Sequence, residues 1–402
     1  MSTVQVSAPL DNLLGRLPAA GRVAVVRDGP SMVIALRPVG AIRADGPDAL
    51  AALDTLDAGW WAGFCAYDLG RAIERVPDRN PPSGLPDLHL VRFDVRIRID
   101  PDGAITIEGE GHDPDGLLTP RRPTVPPQLG PWRSSFDAHG WEGAVTRILQ
   151  HLRDGDCYQV NLTRRLEAEA TTDPTQLFRA LAREHPAPYA ALLRFDDVAV
   201  VSASPECFLR RDGRAITTRP IKGTSADPHA LPNSAKDRAE NVMIVDLARN
   251  DLGRICEYGT IAVPALFELE QHPGLFHLVS TVTGTLRPEV TVGDVFRATF
   301  PPASVTGCPK PRVLDIIETL EPSRRGVYCG AIGFVDADRD VMDFNVAIRT
   351  FTFAHGTVSF GVGGGIVADS DPRAEWEETE LKARRLLAVA RGAGSRGHGA
   401  QL

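Results

Sequence analysis

GVGGGIVADSDPRAEWEETELKARRLL, residues 361–387, decides the architecture. Its glycines invite a dinucleotide-binding loop, the phosphate cradle of doubly wound parallel folds. That template needs a glycine five positions after the first, and Ile366 stands there. No helix starts inside the run. A glycine turn with exposed amides, able to approach a carboxylate closely, accounts for it better. Asp371 then reads as an N-cap with Pro372 at the first helical position, opening a helix over Arg373–Arg391. No G-x-x-x-x-G-K-[ST] loop occurs either, so nucleotide binding is not supported.

Upstream, alternating apolar runs predict strands over Tyr158–Ala170, Ala190–Phe195, Ala199–Ala203, Ile261–Leu269, Val279–Leu286, Gly330–Val335, Asp343–Phe353 and Val358–Val362. Helical spacing marks Asp137–Leu152, Pro174–Glu184, Ser234–Gly253, Val292–Thr299 and Pro309–Leu320. Strands come in neighbouring groups with few βαβ alternations, which predicts an α+β fold and not a parallel doubly wound sheet. Residues 1–118 form a β-rich region, with runs such as Arg22–Arg27 and Leu90–Ile99 between turn signals. Residues 119–135 are a proline-rich connection, 136–391 a larger body, and 392–402 (GAGSRGHGAQL) a tail expected to be disordered.

Composition excludes several classes. A net charge of −8 over 402 residues leaves no basic footprint for nucleic acid or an anionic membrane. No apolar run approaches a membrane span, and the first residues lack a secretory signal pattern. The six cysteines lie far apart without a C-x-x-C pair, which suits reduced thiols in the cytoplasm. Of 44 basic residues only four are lysine: Lys222, Lys236, Lys310 and Lys382. Arginine serves wherever a generic positive charge will do. A retained lysine hints at a compact amine that can lose its proton, and all four follow residue 221.

Two acidic helices stand out. In SAKDRAENVMIVDLARNDLG (234–253), Asp237 and Glu240 share one face, while Val242, Val245 and Leu252 would dock on the body. In the helix after Asp371, Glu375, Glu378 and Lys382 form a second stripe. If the acidic faces meet, their charge must be neutralised, and Mg²⁺ suits a few carboxylates plus water and an anionic ligand. The plainer alternative is two solvated faces with a Glu378–Lys382 pair within one helix. In ITTRPIKGT (216–224), Lys222 lies in a short Pro/Gly-bounded segment after a strand, placed either to point into a cleft or to sit on a surface loop.

Nine segments together resemble the chorismate-utilising enzymes: CYQVNLTRR (157–165), SPECFL (204–209), TRPIKGT (218–224), SAKDRAENVMIVDLARNDLGR (234–254), HLVSTVTG (277–284), SVTGCPKPR (304–312), RRGVYCGAIGF (324–334), DFNVAIRT (343–350) and GGGIVADSDPRAEWEETELKA (363–383). That family includes anthranilate, para-aminobenzoate, isochorismate and salicylate synthases. The segments are collinear over most of residues 155–385, with FCAYDLGR (64–71) as a weaker N-terminal echo. The resemblance implies a large α/β body of β-sheets around a central cleft, helices outside, with 136–391 as the chorismate-binding domain. It implies that Glu240 and Glu378 ligate Mg²⁺, supported by Asp237 and Glu375, and that the metal holds one carboxylate of chorismate. Tyr328, Arg349, Lys382 and the backbone of Gly363, Gly364 and Gly365 would grip the other, with Ser304 also contacting substrate. Glu206 matches the acid placed against the C4 hydroxyl, and His277 a histidine near the enolpyruvyl group.

Two positions discriminate among products. Water-adding relatives carry a lysine base where this chain has Gln159, which disfavours isochorismate and salicylate. Anthranilate synthases resemble PIAGT where this chain reads PIKGT, with Lys222. The resemblance then implies that Lys222 attacks C2, Glu206 protonates the departing hydroxyl, and ammonia adds at C4 to give 4-amino-4-deoxychorismate. Anthranilate formation is the nearest alternative, and a non-catalytic chorismate-binding subunit a further one. Departures are small: PPAS precedes SVTG, and Cys308 and Pro311 flank Lys310. No glutaminase signature is present, so ammonia is expected from a separate glutamine amidotransferase subunit.

Overall fold

The computed structural model describes residues 8–109, 118–225, 227–229, 231, 234–272 and 275–392. Except for Gly392, the tail 392–402 lies outside them.

The N-terminal strands are β1 (Val23–Asp28), β2 (Ser31–Ala44), β3 (Trp60–Cys65), β4 (Leu88–Ile99) and β5 (Ile105–Glu108). Next come β6 (Arg133–Ser134), β7 (Gln159–Glu169), β8 (Tyr189–Phe195), β9 (Val198–Ser204), β10 (Cys207–Asp212), β11 (Ala215–Arg219) and β12 (Ile221–Ser225). The last are β13 (Ala262–His272), β14 (Leu275–Thr285), β15 (Gly307–Cys308), β16 (Ala331–Asp336), β17 (Val341–Val346), β18 (Thr350–Ala354) and β19 (Thr357–Ile366). The helices described are α1 (Ala8–Gly15), α2 (Gly46–Asp54), α3 (Gly70–Glu74), α4 (Ala138–Arg153), α5 (Pro174–Glu184), α6 (Ala235–Gly253), α7 (Val292–Thr299), α8 (Lys310–Leu320) and α9 (Pro372–Ala390).

Every strand pairing among the described residues is antiparallel, and together they form one continuous path. It runs β7–β19–β18–β9–β8–β1–β2–β4, turns through β3, and continues β16–β17–β10–β11–β14, with β12 and β13 both on β14. The N-terminal strands are therefore the hinge of the path, pairing with strands of the C-terminal body on both sides. The α+β expectation is met.

The path folds on itself because both faces of its middle strands are apolar. β9 is buried along its whole length, one face in each of two cores. Between the two halves lie Val26, Trp60, Phe93, Phe195, Val200 and Phe334, with Trp60 stacked on Phe334 at 5.2 Å. Outside the first half, Phe178 and Leu181 of α5 and Leu386 and Leu387 of α9 pack on Val201, Phe351 and Phe360. Outside the second, Val245 and Leu252 of α6 and Phe296 of α7 cover Val335 and Phe344. Truncating one such buried ring to alanine costs about 3–5 kcal/mol.

Four expectations need correction. The run Asp343–Phe353 is two strands, β17 and β18, because Arg349 adopts a left-handed φ of 53° and turns the chain. The glycines 361–365 lie in β19 and not in a turn; their ladder partner is β7, with Gly365 opposite Asn161. Lys222 stands on a strand, β12, opposite Leu278 of β14. Val242 is 49% exposed; Ile244, with Val245 and Leu252, forms the docking stripe of α6.

Candidate active site

The folded path brings its two ends together, and Lys222, Glu206, Glu240, Glu375, Glu378, Lys382 and the β19 glycines gather there. α6 packs on β12 and β14, while α9 packs on β19, so each acidic helix covers one end. Ser234 caps α6 by accepting from the Asp237 amide at 3.1 Å, and Asp371 caps α9 by accepting from Ala374 at 2.8 Å. Caps at these places set where the first-turn acids point.

Lys222 is half-buried, and its Nζ lies 3.5 Å from the Ser304 carbonyl. Desolvation depresses its pKa, opposed by the nearby charges of Glu240 and Glu206; Lys382 adds to the depression and Glu378 opposes it. Lys222, Glu206, Glu240, Glu378 and Lys382 thus share one electrostatic neighbourhood. Glu206 is 3% exposed. Burial raises its pKa to about 7, against lowering by a Ser304 hydrogen bond, Lys222, the Ile221 amide and Arg349. A glutamate so placed holds its proton near neutrality and can act as an acid.

The glycines of β19 let these groups close in. A β-carbon on Gly365 would lie 3.0 Å from Gln159 Nε2 and 3.4 Å from Lys222 Nζ. One on Gly364 would lie 3.1 Å from Glu375 Oε2 and 4.0 Å from Lys382 Nζ. Lys382 donates to the Gly363 carbonyl at 3.0 Å and pairs with Glu378 at 2.6 Å. The helix-internal pair offered as the plain alternative does form, with both side chains about half exposed beside the Gly363 backbone. Glu375 is buried and accepts from Ser370 at 2.7 Å. Asp237 approaches Gly223, 3.2 Å from the place of a β-carbon there. Gln159 is fully buried, and neither of its amide atoms has a hydrogen-bond partner among the described residues. Such orphaned polar atoms facing a cleft call for a ligand.

His277 is buried in β14, between Thr224 of β12 and Glu270 of β13. Tyr328 packs where a side chain on Gly361 would be, its β-carbon position lying 2.1 Å from the ring. The Tyr328 hydroxyl lies near the buried, neutral Cys329 thiol and the charges of Arg325 and Glu321. Arg349 is held by desolvation and by the Arg385 charge at a pKa of about 10, with Glu206 opposing. Among the described residues no three His, Cys, Asp or Glu side chains gather at metal-binding distance. Two acids from facing helices, with water and substrate oxygens completing the shell, is a donor set that fits Mg²⁺, which keeps several waters.

A model of the chorismate binding enzyme family matches residues 28–388. This chain belongs to the chorismate binding enzyme family. It is 41% identical over 342 residues to aminodeoxychorismate synthase component 1 of Salmonella typhimurium, spanning 81% of this chain and 75% of the relative. It is 39% identical over 351 residues to anthranilate synthase component 1 of Thermus thermophilus, spanning 81% and 76%. Among solved structures, anthranilate synthase component I from Streptococcus pneumoniae superposes with a TM-score of 0.80 at 28% identity, covering 90% of this chain and 92% of that one. The menaquinone-specific isochorismate synthase of Escherichia coli gives 0.78 at 20% identity and shares the fold.

Within this chorismate binding enzyme, two groups at the cleft had escaped sequence reasoning. His185 reaches Arg349, and Arg385 extends the α9 stripe. The spacing of Arg385, ten positions after Glu375, was a usable signal; His185 carried none.

Proposed function

We propose that this chain is component 1 of an aminodeoxychorismate synthase, converting chorismate and ammonia to 4-amino-4-deoxychorismate. The single observation behind the reading is Lys222 beside Glu206 in one cleft. Burial lowers the pKa of the amine and so enlarges the neutral fraction that can attack. Lys222 Nζ would bond to C2 of the ring while the C4–O bond breaks, the hydroxyl leaving as water with the Glu206 proton. Ammonia then bonds to C4, the C2–N bond breaks, and Lys222 departs as the amine. The Gln159 amide is too weak a base to take a proton from water, so activation of water at that position is disfavoured.

Glu240 and Glu378 would hold Mg²⁺, with Asp237 and Glu375 behind them. When bound, the ion would neutralise one carboxylate of chorismate and stabilise departing charge. Arg349, Lys382 and the β19 backbone would take the other carboxylate, with Tyr328 at the edge and Ser304 fixing Glu206. His277 lines the same end of the path. A glutamine amidotransferase subunit would supply the ammonia, in keeping with the relatives' designation as component 1. Six unpaired cysteines fit a cytoplasmic setting, and no described helix is long and apolar enough to cross a membrane.

Purified protein given chorismate, Mg²⁺ and ammonium, with products identified by mass, tests the reading. Aminodeoxychorismate is the expected product. Anthranilate with pyruvate would move the chain to the activity named for its Thermus relative, and no turnover would leave a chorismate-binding subunit. Turnover of glutamine by the isolated chain would remove the need for a partner.

A further inference from the structure

Arg349 is fixed with unusual care. Its backbone takes a left-handed φ of 53°, which a non-glycine residue adopts only against a steric cost. Its carbonyl accepts from the Ala203 amide at 3.0 Å, which pins that conformation to the end of β9. Its Nη1 lies 3.4 Å from His185 Nε2. A guanidinium can only donate, so His185 Nε2 is the acceptor and the ring carries its proton on Nδ1. His185 is itself rigid: it is the C-cap of α5, its amide bonded to the Leu181 carbonyl at 2.7 Å, and Pro186 follows.

The Arg385 charge is near enough to act on the same guanidinium. Glu375, Glu378, Lys382 and Arg385 occur at helix offsets of 0, 3, 7 and 10, one stripe of α9. The stripe changes sign along its length, acids toward the N-terminus and bases beyond. Glu378 and Arg385 stand about 10 Å apart along the axis. Two guanidiniums held close repel each other, and Arg385 is exposed enough to turn away into water. A site that keeps both at one place is built for an anion between them.

We propose that His185 and Arg385 complete a carboxylate clamp around Arg349, His185 as a positioning residue and Arg385 as a second cation on the same carboxylate. The ligand class is a dicarboxylate, one carboxylate at the acidic end of the α9 stripe and the other at its basic end. This rests on the chorismate reading above for the identity of the dicarboxylate.

The test is equilibrium binding of chorismate to the full chain with Mg²⁺, beside 4-hydroxybenzoate, which has a single carboxylate. Arg385→Ala is expected to weaken chorismate about fivefold, the upper range for a partly exposed charge pair, and to leave 4-hydroxybenzoate unchanged. Arg385→Lys should recover much of the loss. In ammonium-dependent turnover the rise in KM should exceed any change in kcat. His185→Leu should weaken chorismate likewise, while His185→Gln, whose amide oxygen can accept from Arg349, should rescue it. Equal weakening of both ligands, unchanged chorismate affinity in Arg385→Ala, or failure of His185→Gln to bind better than His185→Leu would each overturn the clamp. Wild-type protein that binds chorismate yet forms no aminodeoxychorismate sinks the proposed function alone, and the clamp is still decided by the binding data.

Discussion

Lys222 Nζ lies 3.4 Å from the place where a β-carbon on Gly365 would sit, although the two residues stand near opposite ends of one strand path. The path must fold in half for them to meet. The apolar layer between its halves, centred on Trp60 and Phe334, makes that fold favourable. The absence of a side chain at residue 365 then leaves the amine room beside the Gln159 amide. Core packing and cleft chemistry are joined at this one point.

Gly365→Ala should therefore damage catalysis more than folding. The backbone there is ordinary strand, so alanine meets no conformational barrier, but its methyl would enter the space between Gln159 and Lys222. A displacement of about 1 Å at a reacting group can cost on the order of 100-fold in rate. We expect kcat/KM to fall at least about tenfold on that basis, with the thermal midpoint nearly unchanged. Equal loss of stability and activity would show that Gly365 serves packing only.

Rate should depend on pH with a falling limb near 7. Glu206 must carry its proton to release the hydroxyl, and its pKa of about 7 means that the protonated fraction declines as pH rises through that value. Lys222 must be neutral, and its depressed pKa brings the opposing rise down from the ordinary lysine range. Glu206→Gln should lower kcat about 10²–10⁴-fold and remove the falling limb. A profile that keeps this limb in Glu206→Gln assigns it to another group.

Lys222→Ala and Lys222→Arg should both abolish the covalent adduct, a mass increase of chorismate less water, when chorismate is supplied without ammonium. Arginine keeps the charge but cannot lose its proton, so it separates nucleophilic from electrostatic roles. An adduct in either variant points to a different nucleophile.

Much of this was legible in the chain because caps and apolar spacing are local signals. Asp371 announced α9 and apolar spacing announced α6, and the acid stripes followed from helix geometry. What escaped depended on distant partners. Residues 361–365 are a strand because β7 supplies the ladder; glycines have no side chains to show alternation. The five residues of β12 are too short for a period, and only β14 makes Lys222 a strand residue. Val242 looked like a docking residue by type, yet the buried stripe passes through Asn241, which hydrogen-bonds Ser280 and the Leu278 carbonyl. The left-handed turn at Arg349 has no glycine to announce it.

Chelation of divalent ions should abolish turnover, and Mg²⁺ should restore it. Glu378 is already engaged by Lys382 at 2.6 Å, so an ion must share or replace that contact. Glu240→Gln and Glu378→Gln should each raise the Mg²⁺ needed for half-maximal rate by about 10-fold or more, since each removes one of few protein ligands. Activity that is indifferent to chelator would remove both residues from the metal role.

Arg325 ties the N-terminal echo FCAYDLGR to the body behind the cleft. Its guanidinium stacks 4.4 Å over Tyr67 and pairs with Glu321 at 2.7 Å, both ion-pair partners being nearly fully buried. It also donates to the Val305 and Asn161 carbonyls at 2.8 and 2.6 Å, while Tyr67 Oη donates to Thr306 at 3.1 Å. Arg325→Met leaves the Glu321 carboxylate buried without its cation and should cost about 3–5 kcal/mol. Arg325→Met combined with Glu321→Leu strands no charge, so it should lose less, about 1–3 kcal/mol from the unmet carbonyls and the Thr163 amide that Glu321 now accepts. Denaturant titration reads both values. If the double variant is no more stable than the single one, stacking on Tyr67 and not charge pairing is what Arg325 contributes.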